Sequence, residues 1–312
     1  MHVRLSTLLA VYVVVPLCLG VAVLDQVFLG GQIQQALPRE PESLFLYALI
    51  FNVPHIIASF FSMAEKEYFL FYKKRLLYAA PIIFIVSFLG YQYGVYWIFI
   101  FGIIYTEYHQ ISQQIGIGRF YFKTKLPEYQ VWRLLMVSIA TIGYGLVYQD
   151  SLFTQTFVHT VLLPAAGVLT FIFALLSVRM YSRIAAREGR LYLGTVLAAV
   201  AGEILILFAG YPVLVILCTR MQHDIPAFLA YMSHDYNREQ SGGANPLYKV
   251  LSVSRIPIFV LVPIVAMLFA YLLARVPYVA GSLVFGITMI HYYIEGFIWK
   301  KGSLHRRHLH FV

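Results

Sequence analysis

Residues 211–240 read YPVLVILCTRMQHDIPAFLAYMSHDYNREQ. The run is long and apolar enough for a helix across a bilayer core, which takes about 20 residues. Yet it holds Arg220, His223 and Asp224, and the dyad His-Asp recurs at 234–235. Each ionisable group in hydrocarbon costs about 2.5–3.5 kcal/mol on insertion scales. Such a helix is tolerable only if its polar face turns onto other protein. The stretch therefore reads as one member of an all-α set of packed transmembrane helices, with chemistry in the interior.

The rest of the chain agrees. Of 312 residues, 60% are hydrophobic and 12% charged, and the mean hydropathy is +0.75. A soluble domain carries about 25% charge, so a soluble enzyme is excluded. The net charge of +9 does not point to nucleic acid, because the basic residues cluster between apolar runs, as membrane topology demands. Cys18 and Cys218 fall within apolar runs and are expected to be free thiols. The run after the opening MHVR lacks a small-residue cleavage motif and reads as a retained first helix.

Ten spans are expected, at 6–29, 43–64, 76–91, 95–116, 132–149, 156–178, 191–209, 212–234, 256–274 and 278–298. Tight hairpins are expected at GYQYG (90–94) and GYP (210–212). Lys66, Lys73, Lys74 and Arg75 follow the second span, and Arg119, Lys123 and Lys125 the fourth. Arg179, Arg183, Arg187 and Arg190 follow the sixth, and Arg238, Lys249 and Arg255 the eighth. Lys300, Lys301, Arg306 and Arg307 follow the tenth, while the other loops hold little beyond Arg39 and Arg275. Ten spans put every basic cluster on one side, which the positive-inside rule makes cytoplasmic, with both termini. The organisation expected is a single transmembrane domain over 1–312, a flexible loop at 237–246 and a short, solvated basic tail at 300–312, in a bacterial-type inner or cytoplasmic membrane.

His55, His109, His223 and His291 lie on four different spans that run in the same direction, each a little past the midpoint. They are expected in one layer. Polar companions share their faces: His291 with Glu295, Tyr105 with His109 and Gln113, Asn52 with His55 and Ser59, and Arg220 with Asp224. Glu107 and Glu203 add intramembrane carboxylates. Neutral imidazoles with nearby carboxylates suit a transition metal, and helical bundles build such sites from facing helices. A lone membrane histidine is more simply an interhelical hydrogen bond, and His159 is read that way. Arg220–Asp224 reads equally as a structural pair, and YQYGVYW (91–97) as an interfacial belt. His234 lies eleven residues after His223 on nearly the same helix face. It is a further ligand, an entrance residue or an interfacial group.

Two fragments, VPHIIAS at 53–59 and IHYYIEGFI at 290–298, resemble the Pro-His and His-x-x-x-acid motifs of the bacteriorhodopsin-associated (Brp/Blh-type) β-carotene dioxygenases. The resemblance implies a polytopic membrane enzyme with a non-haem iron held by intramembrane histidines. The segments YHQISQQIG and QHDIPAF, and Ser59 at the end of the first motif, depart from that pattern.

Taken together, the expectation is an iron-dependent oxygenase using dioxygen on a hydrophobic small molecule (a carotenoid, another isoprenoid or a lipid) drawn from the bilayer. His55, His109, His223 and His291 are the primary ligands, with His234 and Glu107 as further metal candidates and one or two ions held. Glu295 is a partner or carboxylate ligand; Gln113 and Asp224 are orienting groups. Zinc in the same place would instead make a lipid hydrolase, with Asp224 or Glu295 as base. A metal- or proton-coupled transporter is the remaining alternative.

Overall fold

A computed structural model describes residues 1–37, 47–147, 154–243, 245–251, 256–276 and 278–312. Arg39 and Arg255 lie outside these residues. The fold is all-α. Its principal helices are α1 (Leu5–Leu29), α2 (Ala48–Ala64), α3 (Lys66–Gln92), α4 (Tyr96–Phe122) and α5 (Tyr129–Val147). They continue with α6 (Val158–Arg183), α7 (Arg187–Phe208), α8 (Pro212–Gln240), α9 (Ile258–Ala274) and α10 (Ala280–Ile298). Among the described residues, α1, α3, α6, α7 and α8 are long and apolar enough to cross a membrane, and α2 and α9 are shorter apolar helices. The chain is thus a multi-pass membrane protein. Every expected span coincides with one of these helices over its described residues.

Proline sets the local geometry. Pro54, Pro81 and Pro164 each follow a wide π turn, at Ala48–Asn52, Arg75–Ala79 and Val158–Leu162. Proline lacks an N–H and its ring crowds the carbonyl four residues back; a widened turn relieves both problems without breaking the helix. The expected hairpins are present. Gly94 and Gly210 have φ of +64° and +87°, a left-handed backbone that glycine adopts without strain.

The chain divides into two compact units. One comprises residues 1–4, 45–105 and 224–312, and the other residues 5–44 and 106–223. In the first unit α10 packs along α3, and α9 along α2. Gly286 permits the former: a Cβ there would stand 2.8 Å from the Phe84 ring. Tyr68, Ala227, Tyr231, Ala266 and Ile298 form part of its buried core. In the second unit α7 packs against α1 and α6, and α6 against α5. Gly202 admits Val15, whose Cγ1 lies 2.5 Å from where a Cβ would sit. Trp132, fully buried, stacks on Phe173 at 5.4 Å and donates to Ser177 Oγ at 2.8 Å. Cys18 and Cys218 are free and buried.

Three local expectations are corrected. Lys66, Lys73, Lys74 and Arg75 do not form a loop; α3 begins at Lys66, one residue after α2 ends at its Ala64–Glu65 junction. Residues 237–240 are helical, and Arg238 there pairs with Glu65 and Glu67, so the expected loop is shortened and tied at one end. The tail is not a solvated end. Leu304, His305 and Leu309 are buried, and Val3 bridges to Phe311, with Val3 N donating to His310 O at 2.9 Å. Leucines interleaved with the charges supply the apolar contact that a reading by charge alone overlooks.

Candidate metal centre

In the first unit, α2 carries His55, α10 carries His291 and Glu295, and α8 contributes Asp224. Their exposures are 1%, 0%, 7% and 0%. The His55 and His291 rings meet edge to face with centroids 5.0 Å apart. Ligating atoms of His55 and His291 lie within 4.8 Å of one another, as do those of His291 and Glu295. Asp224 Oδ1 is 3.4 Å from His55 Nδ1, and the Phe51 carbonyl is 3.2 Å from the same nitrogen. The Phe51 carbonyl can only accept, so the ring proton sits on Nδ1 and the lone pair is left on Nε2, the arrangement of a metal-ligating histidine with a carboxylate beside it. The Tyr47 hydroxyl donates to Asp224 Oδ2 at 2.5 Å and holds that carboxylate in place. The Tyr231 hydroxyl donates to Glu295 in the same way.

The donors are nitrogen and oxygen with no thiolate among them, a set that suits iron, zinc or manganese rather than sulfur-rich centres. These buried histidines and carboxylates can hold a metal ion.

In the second unit, His109 on α4 and His223 on α8 form another edge-to-face pair, with centroids 5.0 Å apart and exposures of 7% and 1%. Glu107 is fully buried, and neither carboxylate oxygen has a hydrogen-bond partner among the described residues. It precedes His109 by two positions, so the two side chains leave the helix on different sides. Gln113 is half-buried. Glu203 accepts from Gln222 Nε2 at 2.6 Å, and Arg220 donates to the Tyr144 hydroxyl at 2.7 Å.

His234 sits in a different setting, again within the first unit. Its Nδ1 is 2.8 Å from Asp235 Oδ1 and its Nε2 is 3.0 Å from the Tyr68 hydroxyl, so both nitrogens are engaged. Neither His234 nor Glu107 belongs, among the described residues, to a group of three ligating side chains within reach of one ion. His234 stacks instead on His305 at 4.7 Å. His305 in turn bonds Ser62 Oγ through Nε2 at 2.7 Å and the Tyr72 hydroxyl through Nδ1 at 3.3 Å. Burial, reinforced by His234 and His308, holds the His305 pKa well below the ordinary imidazole value.

The sequence reading did not anticipate Tyr47, Tyr231, Gln110 or Gln114. Tyr231 was legible in principle: it lies seven residues after Asp224, two turns along one helix face. Gln110 and Gln114, four apart in an apolar helix, carried a similar signal. No protein-family model, curated protein or solved structure matches this chain.

Proposed function

We propose that this chain is a membrane-embedded multi-histidine metalloenzyme, an iron-dependent oxygenase of a lipophilic substrate such as an isoprenoid or lipid. The observation that carries the metal is the buried His291, whose ligating atoms lie within 4.8 Å of those of His55 and of those of Glu295, with Asp224 3.4 Å from His55 Nδ1. His55 and His291 would bind through ring nitrogens and Glu295 through its carboxylate, while the Phe51 carbonyl fixes the His55 tautomer and Asp224, held by Tyr47, stands beside the same nitrogen. The His109–His223 pair is a second source of imidazole ligands. Iron, when bound, would supply the site at which dioxygen is activated. The chain's own residues hold the ligands in register, exclude bulk water through burial, and orient Glu295 through the Tyr231 hydroxyl. Nitrogen and oxygen ligands without cysteine favour iron over a sulfur-bound centre, and an apolar setting favours a substrate drawn from the bilayer. We further propose ten membrane crossings with both termini on the cytoplasmic side, since the basic residues flank alternate helix ends.

Elemental analysis of protein purified without chelator tests this reading. Iron at one or two atoms per chain, lost in His55→Ala and His291→Ala variants, is the expected result. The same measurement on His109→Ala and His223→Ala gives the number of ions that the two histidine pairs serve. Zinc without iron overturns the oxygenase, and no bound metal overturns the metalloenzyme.

A further inference from the structure

The second unit holds a partly open cavity of about 30 Å³ between α4, α5, α7 and α8. That is room for about two water molecules, or for a hydroxyl group and its first carbons. Most of its wall is aliphatic, including Met136, Ile139, Val200, Ile204, Leu207 and Ile216. One part is polar, formed by Gln114, Thr219 and the hydrogen-bonded pair Glu203–Gln222. Gln114 decides what the cavity is for. It is 4% exposed, and neither its side-chain oxygen nor its nitrogen has a hydrogen-bond partner among the described residues. Proteins rarely leave a buried amide unmet in both its donor and its acceptor, because each unmet group bears its full desolvation cost.

We infer that this cavity receives the polar end of a neutral lipid alcohol, whose hydroxyl docks on Gln114 and whose first carbons meet the aliphatic wall. The chemistry of the polar part selects the head group. A hydroxyl both donates and accepts, as the Gln114 amide requires. A ketone accepts only and leaves the Gln114 oxygen unmet. A carboxylate or phosphate would face Glu203, which disfavours an anionic head group. The site lies wholly within the second unit and does not require the metal. If the oxygenase reading holds, it names the substrate class: an aliphatic alcohol anchored by its polar end.

The test uses the full-length protein in nanodiscs with tritiated farnesol as probe, before and after treatment with a metal chelator. Saturable binding is expected in both states, with unlabelled farnesol competing and farnesene and farnesoic acid failing to compete at about tenfold excess. Gln114→Leu is expected to bind about tenfold more weakly, the loss of one neutral hydrogen-bonding group. Ala140→Phe, which fills the cavity from α5, is expected to abolish binding. Binding no greater than to empty nanodiscs overturns the inference, as does farnesene competing as well as farnesol. The competition arm needs no variant, so a misfolded substitution cannot mask the result. Farnesol binding in protein that proves metal-free would leave this site standing while the oxygenase fell.

Discussion

Asp224 Oδ1 stands 3.4 Å from His55 Nδ1, and both side chains are fully buried. The Phe51 carbonyl accepts at the same nitrogen and fixes the tautomer, and Asp224 adds a charge contact on that side of the ring. Asp224→Asn keeps the shape and removes the charge, so the imidazole becomes less basic and less firmly aimed. Groups that orient a metal-binding histidine typically contribute about 10–100-fold in affinity. Asp224→Asn is therefore expected to weaken metal binding by that factor in a chelator competition titration, with Tyr47→Phe giving a smaller loss in the same direction. Unchanged affinity in both would remove Asp224 from the site.

Glu295 and Tyr231 make a second testable pair. The hydroxyl donates to a carboxylate in an interior from which water is excluded. Hydrogen bonds to charged groups contribute about 1.5–3 kcal/mol, and a buried acceptor that loses its donor bears the desolvation cost. Tyr231→Phe is expected to destabilise the protein, and Tyr231→Phe with Glu295→Gln to destabilise it by less than the sum of the single changes. A double-mutant cycle on denaturant unfolding should return a coupling of about 1.5–3 kcal/mol. Additivity would mean that the two groups do not interact.

The helices were readable because lipid enforces long apolar runs. Their ends were not, where polarity and helix coexist. Lys66 to Arg75 read as a loop by charge, yet Tyr68 and Tyr72 lie four apart on α3 and reach His234 and His305, which keeps the segment helical and packed. At the candidate site, histidines and carboxylates advertised themselves by their cost in hydrocarbon. The tyrosines that hold those groups did not, because tyrosine is cheap in a membrane and this chain has 24 of them. Only the fold distinguishes Tyr231, bonded to Glu295, from Tyr278, which is 98% exposed.

Close helix packing gives a third prediction. A Cβ at Gly286 would stand 2.8 Å from the ring of Phe84, so any larger side chain drives α10 away from α3. Overpacking of this kind costs about 1–3 kcal/mol. Gly286→Val is expected to lower the unfolding midpoint, and Phe84→Ala placed in the same chain to restore part of it. A Gly286→Val protein as stable as the parent would show that the two helices are less closely packed than this.

The C-terminal segment should respond to pH. His305 is buried against Ser62, Tyr68, Tyr72, His234 and Trp299, with His308 nearby. Burial first, then the neighbouring imidazoles His234 and His308, holds its pKa well below the usual value. A released segment would titrate at about 6.5. Between the two values the released form binds more protons than the docked form, so docking weakens as pH falls. The stabilisation is complete above pH of about 6.5 and declines progressively below it. Hydrogen exchange over residues 303–310, corrected for intrinsic rates, is expected to be slow at pH about 7.5 and markedly faster at pH about 5. His305→Phe keeps a ring for stacking but cannot take up a proton, so its exchange should no longer accelerate in acid. Acceleration that persists in that variant would assign the response to His308 or His234 instead.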